Sequence, residues 1–444
     1  MGKMWLRSDA AKPNDALILN TLGAAQAAAG ETDRALATFR RAADADARFA
    51  GARHNLGTLL ASLGDFDGAR AAFEAAIAID PSFAPARIAL ADVLRRLDRG
   101  DDAMRELRAA LASNPQSSSA WEMLAELGAG ELTAAERSAL EDEYRRPRRS
   151  ADERAGFAYA LADVLESRAQ YPEAFALYTE ANALRRRGIE WDAARHTRRC
   201  ERILEAFPAN PEVASEATLG EGCIVVLGLP DDVAAAVARA LRAHPSVGHA
   251  GAPNPARLIA AESERRKQKF AQWAREATPA DWLRLGRDYL AEPMPAGARS
   301  HRVLDATLFG PELAGAVASM LPAARFVAIG NDALESCWSC FRSDFHGAER
   351  YSADLAELAQ YRRDYEKLIA RWHARFGARI HRVDVDALRA DPARAIGALF
   401  EHCGLDPSSV AERLHLGARQ GARAYGDLLK PLAQMLAAQP AEIA

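Results

Sequence analysis

The chain has 444 residues, 49% of them hydrophobic and 27% charged, with 57 basic against 61 acidic side chains and a net charge of −4. Half-apolar composition at this length excludes wholesale disorder and suffices for two or three domains with cores of their own. The near-neutral balance, with an isoelectric point near 6.3, argues against a generic binder of nucleic acid or of anionic membranes.

The first residues, MGKMWLRSDAAKPNDA, lack the apolar core of a signal peptide. No apolar stretch approaches the roughly 20 residues that span a bilayer. The five cysteines, Cys200, Cys223, Cys337, Cys340 and Cys403, are odd in number and irregularly spaced. That pattern points to reduced thiols and a cytoplasmic protein rather than a secreted disulfide framework. Alanine is abundant throughout, which predicts closely packed helices.

A repeat comes next. Leu22-Gly23, Ala35, Phe39 and Ala42 recur as Leu56-Gly57, Ala69, Phe73 and Ala76, then more loosely as Leu90-Ala91, Ala103, Leu107 and Ala110, with a period of 34. Gly30, Gly64 and Asp98 fall at the turn inside each unit, and Pro81 and Pro115 end the second and third. Small residues at fixed positions admit a second helix and a bulky one fills the gap, which is the tetratricopeptide pattern. An α solenoid over 14–206 is therefore predicted, with units 16–49, 50–83 and 84–117, a degenerate unit 118–150 beginning at Trp121 and Leu124, and a further unit 155–188. The first helices of such units line a concave face that grips a protein or peptide. Asn20, His54, Asn55, Thr58 and Asp92 are candidates for that groove.

The grammar changes across 207–222 (FPANPEVASEATLGEG), a linker rich in Pro, Gly and Ser. A second domain over 223–430 follows. Cys223–Gly228 is a continuous apolar run that turns through Leu229-Pro230 into a helical pattern over Asp231–Ala243. Further candidate strands are Arg302–Asp305, Arg325–Ile329 and Ile380–Val385, with helices at Pro311–Leu321 and Tyr351–Phe376. Buried strands alternating with helices predict an α/β domain, a mainly parallel sheet sandwiched by helices. In that architecture ligands sit at the carboxyl ends of strands, so Pro230, Asp231 and Asp232 stand where a phosphate-binding loop would lie.

These segments resemble the sulfotransferase domain of bacterial tetratricopeptide–sulfotransferase proteins, a family similar to the tyrosylprotein sulfotransferases. Val226-Leu-Gly-Leu-Pro230 and Leu241-Arg-Ala-His-Pro245 match the two ends of the family's opening, and Leu321-Pro-Ala-Ala-Arg-Phe-Val327 matches its F-P-x-A-R-I-I. Ser336-Cys-Trp-Ser-Cys340, Tyr351–Trp372, Val383–Pro392 and Glu173–Arg187 are further parallels. The resemblance implies a P-loop-like sulfotransferase fold and 3′-phosphoadenosine-5′-phosphosulfate as donor of a sulfuryl group to a hydroxyl. Such chemistry needs cations and amides on the phosphosulfate and a general base on the acceptor.

At those places the sequence departs from the family. R-S-G-T-T is replaced by Asp231-Asp232-Val233-Ala234-Ala235, the D-K-M-P lysine by Ala306 and its proline by Leu308, and the G-A-G-E acid by Ala252. R-R-D-P-R-D has become Gly330-Asn331-Asp332-Ala333-Leu334-Glu335, which leaves Ser339 as the residual 3′-phosphate contact. Losing one transition-state charge stabiliser costs on the order of 10²–10³ in rate, so the expectation is a silent pseudoenzyme with no bound cofactor and a protein-binding role. The alternative is an active sulfotransferase modifying a protein tyrosine or another hydroxyl. His249, near the missing acid, is its candidate base. A third reading has Asp231, Asp232, Asp305, Asp332 and Glu335 converging on a cation or amine. Cys337 and Cys340 have the spacing of a zinc or redox pair, but no second Cys/His pair has matching spacing; packing is the expected role, and no metal site is predicted.

Overall fold

The computed structural model describes residues 15–207, 218–249, 255–291, 301–305, 310–330, 332–409 and 421–438, with backbone alone at 249 and 301–305. Two compact units divide between Leu184 and Arg185.

In the first unit, antiparallel helices pair as Ala16–Ala28 with Thr32–Ala45, Ala50–Ser62 with Phe66–Ile79, and Ala84–Arg96 with Gly100–Ser113. The repeat explains the pairing. A Cβ built on Gly23 would lie 2.8 Å from the Phe39 ring, and one on Gly57 2.7 Å from Phe73, so each glycine lets an aromatic ring lie directly on the partner helix. Gly30, Gly64 and Asp98 all have positive φ, 77°, 79° and 62°, the left-handed turn that stops the first helix of each pair.

The degenerate unit is more regular than its sequence suggests. Ser118–Gly128 packs against Ala151–Ser167, with Ala134–Arg145 between them in sequence. The charged stretch is helical because Thr133 with Glu136, and Ser150 with Glu153, form capping boxes at two helix starts.

The second unit begins earlier than the predicted linker. Arg186 pairs with Glu357 at 2.7 Å, Arg185 is ion-paired with Asp344, and Phe207 meets the Trp372 ring edge-on at 5.7 Å. The helix Ala193–Ala206, assigned to the solenoid from sequence, therefore belongs here.

Five parallel strands, β1 (Cys223–Leu227), β2 (Val247–His249), β3 (His301–Asp305), β4 (Arg325–Ile329) and β5 (Ile380–Val383), form one sheet in the order β2-β3-β1-β4-β5. β1 is central and buried along its length. Ile224, Val226, Val327 and Ile329 join a core with Val237, Leu241, Leu399 and Phe400 from helices Asp232–Ala243 and Pro392–Cys403. Across the sheet the helix Leu355–Phe376 buries Leu358, Tyr365, Leu368 and Trp372. It starts four residues later than the pattern predicts because Asp354 caps it, accepting from the Ala356 and Glu357 amides. The Tyr365 hydroxyl reaches the carbonyls of Leu227 and Ile329, 3.3 Å from each, and so ties the ends of β1 and β4. The predicted helix Pro311–Leu321 divides into a 3-10 turn, Pro311–Leu313, and an α-helix, Ala314–Met320. β2 has no counterpart in the sequence reading, since three residues after His244-Pro245 carry no pattern.

Candidate functional site

The carboxyl ends of β1, β4 and β5 lie side by side, and each leads into a helix. All three helices have aspartate at the N-cap. After β1, Asp231 accepts from the Ala234 amide at 2.8 Å. After β4, Asp332 accepts from the amides of Leu334 and Glu335 at 2.9 and 3.1 Å. After β5, Asp384 accepts from those of Asp386 and Ala387, both at 3.0 Å. A helix N-terminus attracts anions because its first amides lack intrahelical partners and sit at the positive end of the dipole. Here the protein's own carboxylates meet those amides.

The three ends border a cavity of about 860 Å³. Asp231, Asp232, Asp332, Glu335, Asp384 and Asp386 line it against Arg342, Arg389 and Arg423, so carboxylates outnumber guanidinium groups. Several are already engaged. Asp231, 4% exposed, accepts a 2.7 Å hydrogen bond from the Ser336 hydroxyl. Asp232 pairs with the buried Arg342 at 3.2 Å, and Glu335 accepts from the Ala422 amide at 3.0 Å. Ser339 is buried and lines the same cavity, and Pro230 stands at the turn with its carbonyl 4.0 Å from the Cys340 thiol.

Four of the five carboxylates suggested as a cluster are thus together, while the Asp305 side chain lies outside the described residues. Asn331, Ala252, Ala306 and Leu308 lie outside them as well. His249 ends edge strand β2, its backbone in register with Val303 of β3, and its side chain is also outside the description. Cys337 and Cys340 are buried in the helix Ala333–Phe341, and burial pushes the Cys337 thiol up to about 12. That environment fits packing rather than thiolate chemistry.

The groove candidates all stand on first helices of their units, and each has a local partner. The Asn55 amide donates to the Asn20 carbonyl oxygen at 2.9 Å. The Thr58 hydroxyl donates to the His54 carbonyl at 3.0 Å. Asp92 pairs with Arg95 and Arg96, 2.8 Å from each. The His54 ring lies 5.5 Å from both Phe73 and Phe83, and burial lowers its pKa.

Sequence reasoning missed Arg342, Asp384, Asp386, Arg389 and Arg423. Asp384 left a readable trace, an N-cap residue directly after a strand. The Asp232–Arg342 pair joins residues 110 apart, a separation that no local pattern marks.

Residues 224–409 match the Sulfotransferase family, and residues 60–127 match the Tetratricopeptide repeat. An uncharacterized protein of Aquifex aeolicus (strain VF5) is 26% identical over 267 residues, 57% of this chain and 35% of that relative. The chain therefore spans about a third of that relative's length. Among solved structures, YrrB, described as a TPR protein with an unusual peptide-binding site, is 17% identical. It is matched over 41% of this chain and 93% of its own, with a TM-score of 0.34. Pseudomonas aeruginosa pilF is 20% identical over 42% of this chain and 82% of its own, with a TM-score of 0.33.

Proposed function

We propose that this chain, in which a tetratricopeptide repeat region precedes a sulfotransferase-family domain, is an interaction protein whose former donor site no longer takes 3′-phosphoadenosine-5′-phosphosulfate. One observation carries the reading. The three helix N-termini facing the cavity are capped by Asp231, Asp332 and Asp384, so a phosphosulfate there would compete with fixed carboxylates for the same amides and be repelled by them. The residues present do not fit that donor, since carboxylates outnumber guanidinium groups around the cavity. The repeat region then supplies the function, holding a protein or peptide against its first helices. The five cysteines are buried and form no disulfide with one another, which, with the family resemblance, supports a reducing, bacterial cytoplasm as its setting.

The competing reading is an active sulfotransferase acting on a tyrosine or other hydroxyl. It draws on Ser339 and on Arg342, Arg389 and Arg423, which line the cavity. Thermal unfolding with 3′-phosphoadenosine-5′-phosphate separates the two. Ligand at 100 times its dissociation constant stabilises by about 2.7 kcal/mol, a rise of roughly 5–10 °C for a domain of this size. The expected result is no shift at about 1 mM. A clear shift that Ser339→Ala removes overturns the proposal.

A further inference from the structure

Away from the cavity, the second unit buries a cluster of three metal-ligating side chains. His196 and Cys200 stand one turn apart on the helix Ala193–Ala206, and Glu312 reaches them from the turn Pro311–Leu313. They are 7%, 2% and 6% exposed. The Cys200 sulfur is 3.3 Å from His196 Nε2, and Glu312 Oε1 is 3.6 Å from His196 Nδ1. One ligand atom from each residue can be chosen so that all three lie within 4.8 Å of one another.

We propose that His196, Cys200 and Glu312 hold a structural zinc ion. Four observations support the assignment. Zinc bonds of about 2.0–2.3 Å in a tetrahedral shell set neighbouring ligand atoms roughly 3.3–3.8 Å apart; with His196 binding through Nε2, the Cys200 sulfur at 3.3 Å meets that spacing, and one ligand atom from each of the three residues lies within 4.8 Å of the other two. Glu312 Oε2 is buried with no hydrogen-bond partner among the described residues; left alone, a buried carboxyl oxygen of this kind is costly. The Trp191 indole, its ring 5.0 Å from that of His196, also buries an N–H with no acceptor among those residues, so the polar groups around the cluster are incompletely satisfied as they stand. The turn that carries Glu312 is itself fixed, since Trp372 Nε1 donates to the Pro311 carbonyl at 2.8 Å.

Electrostatics make the ion's part clearer. Without a cation, burial pushes the Glu312 carboxyl and the Cys200 thiol up toward their neutral forms and pulls the His196 imidazole down to about 4. The imidazole is thus already in the neutral form that binds metal. On binding zinc, the thiol and carboxyl each release a proton to solvent, and two anionic ligands with one divalent cation leave a neutral buried centre. Thiolate, imidazole and carboxylate together suit zinc better than calcium or magnesium, which favour all-oxygen shells.

The test is metal analysis of the full-length protein, then unfolding in chelator and refolding with cobalt(II) as the spectroscopic probe. The expected result is about one equivalent of zinc as purified and, on refolding, one equivalent of cobalt with a near-ultraviolet thiolate charge-transfer band and the intense visible bands of a tetrahedral site. Cys200→Ser should abolish the charge-transfer band, and Glu312→Gln should weaken cobalt binding at least about tenfold. Cys337→Ser and Cys340→Ser should leave the band in place. The wild-type measurement decides even where a variant fails to fold. Metal-free purified protein that also refolds in zinc or cobalt without retaining the ion overturns the proposal, as does a band that survives Cys200→Ser or vanishes with Cys337→Ser.

Discussion

The aspartate after β1 offers the sharpest test of whether the cavity's acids belong to the fold. Asp231 sits at a helix N-cap, 4% exposed, with the Ala234 amide at 2.8 Å and the Ser336 hydroxyl at 2.7 Å. Replacing it with alanine removes the cap, which costs about 0.5–2 kcal/mol. It also strands the Ser336 hydroxyl, itself only 3% exposed, and an unsatisfied buried donor costs about 1–3 kcal/mol more. Asp231→Ala should therefore destabilise the second unit by roughly 2–4 kcal/mol. Ser336→Ala in the same chain should return part of that loss, since it removes the stranded group, giving a coupling of about 0.5–3 kcal/mol in the double-mutant cycle. Urea unfolding followed by tryptophan fluorescence reports mainly on this unit, where Trp191, Trp273, Trp282, Trp338 and Trp372 lie, once Trp121 of the repeat region is replaced by phenylalanine in every variant compared. A residue kept for ligand binding behaves in the opposite way, because relieving a cluster of like charges stabilises the apo protein. If Asp231→Ala leaves the midpoint unchanged or raises it, the structural account of this acid is wrong.

Gly57→Ala should cost about 1–3 kcal/mol in the repeat unit, because the new methyl meets Phe73 at 2.7 Å in a packed core; calorimetry of the full chain checks it, and a loss below 0.5 kcal/mol would mean the helices simply move apart. Tyr178→Phe should also destabilise the chain, by about 1–3 kcal/mol, since the fully buried hydroxyl donates to Asp163 at 2.6 Å and its loss leaves the Asp163 carboxylate short of a donor. Glu262 gives a pH dependence: hydrogen bonds from Arg265 foremost, then from Arg266 and Arg284, hold its carboxyl far below the usual range. Its folded pKa lies below the unfolded value near 4.3, so its contribution is complete above about pH 5 and fades as pH falls toward the folded value. Glu262→Gln should flatten the acid limb of a stability–pH curve measured by urea unfolding; an unchanged limb would place the acid sensitivity elsewhere.

The repeat was legible because its physics is local: Gly23 and Phe39, or Gly57 and Phe73, recur at fixed offsets, and the contacts between them are the reason for the spacing. The strands were legible for a similar reason, since β1 and β4 are buried runs bounded by Gly228 and Gly330. Chemistry that depends on convergence was not. Asp231 and Asp232 read as a lost phosphate loop, but nothing near them announces Ser336 or Arg342. His196 and Cys200 are spaced for one helix face, yet their third partner comes from Pro311–Leu313, brought close only by the tertiary fold.

That difference changes what reversal of the donor site would require. From sequence alone, Asp231→Arg with Val233→Gly looks like a repair of the loop. In the folded protein Val233 is 5% exposed within the sheet core, Asp231 is the acceptor for a buried hydroxyl, and Asp232 is the counter-ion of the buried Arg342. The exchange therefore buries a new cation, opens a gap in the core and leaves Ser336 unsatisfied, each a cost of about 1 kcal/mol or more. Asp332 and Asp384 would still hold the amides of the two neighbouring helices. The substitutions at this site are thus coupled to one another through the packing of the domain. On the proposed reading, recovery of donor binding should need changes beyond the loop after β1, and the two-residue exchange by itself should yield a less stable protein that still does not bind 3′-phosphoadenosine-5′-phosphate.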